Sequence, residues 1–172
     1  ASFGADHPDV ARDLNNLAGL LLATNRLKEA EPLMERVVTI FEKAYGEKHP
    51  NIATSLNNLA QLLKATNQLE EAEPLMRRAL AIDEASFGAD HPKVATALSN
   101  LAGLLADTNR LKEAEPLMER VVVILLQFTR QTGHPHPHLK TTINNYGSLL
   151  MQMGYSEEQI AARLKGLDPE MF

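Results

Sequence analysis

The feature that most constrains this chain is internal repetition. Ala1-Ser2-Phe3-Gly4-Ala5-Asp6-His7-Pro8 recurs letter for letter as residues 85–92, and the stretch from Thr24 to Val38 recurs from Thr108 to Val122. The pairs His7-Pro8, His49-Pro50 and His91-Pro92 set a period of 42 residues. A period in this range belongs to a supersecondary unit that cannot bury its apolar face alone and must stack on its neighbours. A fourth pair, His136-Pro137, comes three residues later than the period requires, yet Gly133 keeps the offset to its histidine that Gly4, Gly46 and Gly88 have. The insertion therefore falls within Val121–Thr132. It is close to one turn of about 3.6 residues, so that helix is predicted to run one turn longer.

Each repeat reads as two helices. Pro8 suits the first helical position, where its missing N–H is not needed. Val10, Leu14, Leu17, Ala18 and Leu21 follow at helical spacing and share one apolar face. Asn25, Asn67, Asn109 and Gly154 stand where these first helices should end, being residues that tolerate the left-handed conformation. The second helix is predicted from about Leu27 to Tyr45, with Ala30, Met34, Val37, Phe41 and Tyr45 on one face and Gly46 as its stop. Pro32, Pro74 and Pro116 sit near the first turn, where a slight bend is expected rather than a break. The chain is thus predicted all-α, with repeats at about 7–48, 49–90, 91–135 and 136–172 and residues 1–6 as the tail of a truncated preceding repeat. The last helix is short, about Ser156 to Lys165. The first and third copies are the closest pair, which points to duplication of a two-repeat block.

Composition narrows the function classes. The absence of Cys removes disulfides, thiolate nucleophiles and Cys-based metal sites. The longest apolar run, Val121–Leu126, is far short of the ~20 residues that span a bilayer. No signal-peptide pattern opens the sequence, and a cytoplasmic setting is expected. A net charge of −5 disfavours nucleic acid as the main partner, because that binding is driven by cations meeting phosphates.

The copies Leu14-Asn15-Asn16-Leu17-Ala18, Leu56-Asn57-Asn58-Leu59-Ala60 and Leu98-Ser99-Asn100-Leu101-Ala102 are each followed by a turn, then Glu-Ala-Glu-Pro-Leu from Glu29, Glu71 and Glu113. Glycine and His-Pro come next. A weaker fourth copy reads Ile143-Asn144-Asn145-Tyr146-Gly147. This pattern resembles a tetratricopeptide repeat array of the long, kinesin-light-chain-like type, over nearly the whole chain. Leu14 and Leu21 stand where the family usually has bulky aromatics. The resemblance implies a right-handed superhelical solenoid of about eight helices in antiparallel pairs, without cofactor. It also implies that the side of each first helix turned away from the core lines a concave groove for peptides. That side carries Arg12, Asn15 and Asn16 in the first copy, and Thr54, Asn57, Asn58, Gln61 and Lys64 in the second. The third and fourth copies supply Ser99 and Asn100, then Asn144 and Asn145. Amide side chains both donate and accept, so a ladder of them can bracket an extended peptide backbone. The alternative is that one Asn of each pair bonds a neighbouring helix and is architectural.

Other groups read as structural. Gly133-His134-Pro135-His136-Pro137-His138 could suggest a metal site, but His136-Pro137 is this repeat's version of His7-Pro8. The glutamates around residues 29, 71 and 113 recur in each copy, as a solvated helix start would. No phosphate loop, zincin helix or nucleophile elbow is present, and no enzymatic activity is expected. The run Val121–Leu126 is either buried or a docking surface. The functional expectation is a module that binds a protein or an extended peptide. Alternatives are the sensor end of a larger nucleotide-binding switch protein and a self-assembling scaffold. In the last case the array's exposed ends would pair into homo-oligomers, through the apolar edge of the first helix.

Overall fold

The computed structural model describes Gly4 and residues 6–169. The expected tail of a preceding repeat, residues 1–6, lies mostly outside the described residues. Within them, Asp6 accepts a hydrogen bond from Lys43 Nζ at 2.9 Å. The described residues form eight α-helices and no strands, as the periodicity requires. They fall into two compact units, residues 1–89 and 90–172. The first holds α1 (Pro8–Ala23), α2 (Leu27–Tyr45), α3 (Pro50–Ala65) and α4 (Leu69–Phe87). The second holds α5 (Pro92–Asp107), α6 (Leu111–Thr132), α7 (Leu139–Gln152) and α8 (Glu157–Leu167).

The His-Pro pair is a helix-start device. A residue before proline is pushed towards extended backbone, which is the conformation a helix cap needs. His7, His49 and His91 are extended, and each accepts a hydrogen bond at Nδ1 from the N–H two residues on, at 3.2, 3.2 and 3.1 Å. The stop is equally specific. Asn25, Asn67 and Asn109 have φ of 57°, 63° and 57°. At the first of these, Arg26 N–H donates to Leu21 O at 2.8 Å and Asn25 N–H to Leu22 O at 3.0 Å. This paired closure recurs at Asn67, Asn109 and Gly154, and it satisfies carbonyls the helix end would otherwise leave unpaired.

Small residues let the hairpin helices approach. Ala18 and Ala30 are both 0% exposed, and their copies Ala60, Ala72, Ala102 and Ala114 are equally buried. Pro32, Pro74 and Pro116 lie within helices that run through them unbroken. The three-residue insertion lengthens α6 to 22 residues against 19 in α2 and α4. Five residues of the apolar run Val121–Leu126 are buried and Val123 half-buried, so the run is core.

The fourth copy departs in two ways. Its first helix starts at Leu139, two residues after the Pro137 that the register marks, although His136 Nδ1 accepts the His138 N–H as its counterparts do in the other copies. Its second helix, α8, is capped by Ser156 and Gln159 bonding reciprocally, and Ile160 is its one buried apolar residue. Polar contacts hold α8 in place. Tyr146, fully buried on α7, donates to Glu119 at 2.8 Å and accepts from Arg163 Nε of α8 at 2.7 Å. Arg163 also bonds Glu119 at 2.7 Å and Glu115, both on α6. Arg130 of α6 pairs with the buried Asp168 at 2.8 Å.

Candidate binding clefts

In the first unit a cleft of about 300 Å³ opens where α1, α2 and α3 meet. The first helix contributes Pro8, Asp9, Arg12 and Asn15, and α2 contributes Phe41 and Tyr45. The far wall is Asn51, Thr54, Ser55 and Asn58 of α3. Arg12 pairs with Asp9 at 2.9 Å, so the charges at this cleft offset each other. Phe41 and Tyr45 form an aromatic shelf with centroids 5.7 Å apart, extended by His49 stacked on Tyr45 at 4.6 Å.

The second unit has a cleft at the matching place, about 180 Å³, where α5, α6 and α7 meet. Pro92, Ala95, Thr96, Ser99 and Asn100 line it from α5, Val121 and Leu125 from α6. His136, His138 and Thr142 close it. His136 accepts at Nδ1 from the His138 N–H at 3.2 Å, and the Phe128 ring meets it edge-on at 5.0 Å. Burial, and then the nearby His138, hold the His136 imidazole below its usual pKa. Among the described residues, no group of three or more His, Asp, Glu or Cys is placed to hold a metal ion.

The sequence-derived groove residues divide between these places. Arg12, Asn15, Thr54 and Asn58 meet in the first cleft, Ser99 and Asn100 in the second. Asn144 lines a separate hollow with Pro135, Pro137, Leu139 and Ile143. Asn16, Asn57, Gln61, Lys64 and Asn145 line none of these. Adjacent helical residues point about 100° apart, so one Asn of each pair faces a given cleft and the other does not. No side-chain hydrogen bond joins any of these asparagines to a neighbouring helix among the described residues. The Asn57 Oδ1 is buried without a partner. Sequence reasoning missed Phe41, Tyr45, Leu125 and Thr142, the first two because their apolar spacing assigns them to the core. It also missed Asn51 and His138, whose signal was present. Each follows a His-Pro proline, at the helix start that opens onto the cleft.

Repeated helical hairpins, with a cleft at the first-helix junction inside each unit, define a class of α-helical repeat protein. The particular family follows from comparison. The tetratricopeptide repeat profile matches residues 14–85 and 68–127, together most of the chain. The chain belongs to the tetratricopeptide repeat family, whose members are generally protein–protein interaction modules. No curated protein matches it. Among solved structures, it is similar to BtubC (BKLC) from P. vanneervenii, with a TM-score of 0.79 and 26% identity over 96% of this chain and 66% of that one. It is also similar to a Podosopora anserina protein described as a kinesin light chain with nearly identical TPR-like repeats. There the TM-score is 0.77 at 24% identity, over 99% of this chain and 80% of that one. The long, kinesin-light-chain-like form of the repeat is thereby established. No described helix is long and apolar enough to cross a membrane.

Proposed function

We propose that this chain is a non-enzymatic, cytoplasmic module that binds an extended peptide segment of a partner protein through its first-helix clefts. One observation carries the reading. A cleft recurs at the same place in both units, and each is lined by amides and hydroxyls next to an apolar wall. Asn15, Asn58, Ser99 and Asn100 have no hydrogen-bond partner among the described residues, so each can donate to or accept from a peptide backbone. Phe41 and Tyr45, or Val121 and Leu125, offer apolar surface for a side chain. A peptide-display screen against the chain tests this. Selected peptides should lose at least tenfold in affinity on Asn58→Leu with Asn100→Leu, while Gln61→Leu, outside both clefts, changes little. Equal binding to all three proteins refutes the reading.

A second reading concerns the edge of α1. Leu17 and Leu20 are 46% and 66% exposed, whereas Leu59, Leu62, Leu101 and Leu104 at the matching positions are at most 6% exposed. We infer that this edge supports self-association. Sedimentation should show concentration-dependent oligomers that Leu20→Lys abolishes; a monomer at high concentration refutes it.

A further inference from the structure

The exposed edge of α1 carries more than two leucines. Asp13, Asn16 and Ala23, all exposed, share a helix face with Leu17 and Leu20. In the other first helices that face is covered. Asp13 corresponds to Ser55 and Ala97, which are 5% and 0% exposed. The neighbours explain the difference. α3 packs against both α2 and α4, whereas α1 has α2 as its main neighbour among the described residues.

The molecule itself narrows what can cover this edge. Among the described residues four large apolar side chains are exposed, namely Leu17, Leu20, Tyr45 and Met151. Tyr45 belongs to the first cleft, and Met151 is a single side chain on α7. Leu17 and Leu20 are thus the one exposed apolar pair. The last helix offers no counterpart. Ile160 of α8 is buried, and the opposite side of that helix carries Glu158, Ala162 and Lys165, none of them a large apolar group. The apolar surface a second copy can bring to this edge is therefore the same two leucines. A patch that pairs with itself makes an isologous contact, which closes at two subunits; pairing with a different patch leaves ends free to continue.

We propose that α1 of one copy packs against α1 of a second copy about a two-fold axis, antiparallel, with Leu17 of each against Leu20 of the other, giving a closed dimer. This rests on the self-association reading and adds the partner surface and the stopping point. The antiparallel sense follows from Asp13. Parallel helices would bring the two Asp13 carboxylates together, and like charges repel. Antiparallel helices centred between Leu17 and Leu20 put each Asp13 beside Thr24 of the other copy, at the far end of the edge. Even there the carboxylate gives up water, so Asp13 weakens the dimer, and it acts twice because every contact occurs twice.

The chain has no cysteine, so engineered thiols report contacts without background. Asn16→Cys, Ala162→Cys and the double variant are treated with a short bismaleimide, and the parent and Asp13→Ala are compared by sedimentation equilibrium. Asn16→Cys should cross-link into a dimer and nothing larger, and Ala162→Cys should not cross-link. The parent should fit monomer and dimer alone, and Asp13→Ala should associate about tenfold more tightly. A ladder from the double variant, with neither single variant cross-linking, means head-to-tail stacking and overturns the closed dimer while leaving self-association intact. Dimers in sedimentation without an Asn16→Cys cross-link, or equal cross-linking of Ala162→Cys, overturn it too. Association of Asp13→Ala no tighter than the parent's overturns the antiparallel seam. A parent that stays monomeric at high concentration removes the self-association reading and this inference with it.

Discussion

Replacing Arg163 with alanine should undock α8 while leaving α5–α7 folded. Arg163 bonds Glu115, Glu119 and Tyr146 across 44 or more residues of chain to α6 and 17 to α7. Hydrogen bonds to charged groups contribute about 1.5–3 kcal/mol when buried. The Arg163 and Glu119 side chains are both 34% exposed, so solvent screening discounts each contact towards the 0.2–1 kcal/mol range of about a surface pair. The three together come to about 2 kcal/mol, similar to the roughly 1.5–3 kcal/mol from burying Ile160. An undocked α8 of 11 residues is shorter than the roughly 12–15 a helix needs to persist alone, so undocking means unfolding. A loss of about 2 kcal/mol converts to about a thirtyfold drop in hydrogen-exchange protection for α8 amides. Protection within twofold of the parent, or an equal loss throughout α5–α7, would refute the reasoning.

The same network sets a pH dependence with a definite sign. Burial, the largest single influence on Glu119, pushes its carboxyl up. The Arg163 and Tyr146 hydrogen bonds and the Arg163 charge together outweigh it and hold the group below its usual 4.5. A carboxylate depressed in the folded state contributes stability that is complete above its unfolded pKa and lost as pH falls through the folded one. Protection of α8 in the parent should therefore fall as pH drops below about 4.5, the unfolded reference for a glutamate, and the Arg163→Ala profile should be flatter. Exchange rates corrected for intrinsic pH dependence measure both.

Three further outcomes follow from burial and backbone geometry. Leu59→Ala removes a side chain 6% exposed and should cost about 2–5 kcal/mol, whereas Leu17→Ala at the matching, 46% exposed position should cost under about 1 kcal/mol, both read from urea midpoints. Asn109, at φ 57°, should lose about 1 kcal/mol on replacement by alanine and close to nothing on replacement by glycine. Ala60→Leu places a large side chain where none is exposed and should destabilise by roughly 1–3 kcal/mol through overpacking, detectable as a lower thermal midpoint.

Helices and turns were legible because their causes are local and appear several times. A His-Pro start, an Asn or Gly stop and small Ala at the closest approach each act within a few residues, and each copy repeats them. The extra turn of α6 was legible for the same reason, since a fixed Gly-to-His offset locates an insertion. The late start of α7 was not, because His136-Pro137 keeps the same local signal, and the same Nδ1 hydrogen bond, as the copies whose helices start at the proline. The α8 latch was illegible for a different reason. Glu119 stands where the second copy has Arg77 and Tyr146 where the others have leucine, so no repeated pattern announces a contact spanning 44 residues. The groove face was legible only to within one side chain, since periodicity cannot say which Asn of a pair meets the cleft.

The first and third copies differ both inside and outside the cleft lining. Ala18, Leu21, Ala30, Met34 and Val37, buried in the first copy, are unchanged and buried in their third-copy counterparts, from Ala102 to Val121. Packing explains this, because a changed volume at a buried position costs stability in either copy. The differences include Asp9 to Lys93, Arg12 to Thr96, Asn15 to Ser99 and Phe41 to Leu125. All four of those first-copy positions line the first cleft. Asp9, Arg12 and Asn15 are polar and carry little of the fold's stability, so duplication leaves these three free to take on a different ligand chemistry, whereas Phe41 packs against the buried cluster of Ala11, Val37 and Ile40. The scaffold thus accounts for two clefts in the same place, and the residues released from packing account for their unlike linings. Exchanging Arg12 and Asn15 for Thr and Ser should therefore change what the first cleft selects in peptide display while leaving the urea midpoint nearly where it was. A large loss of stability in that double variant would show that these side chains belong to the core, and that the divergence between the clefts says nothing about ligands.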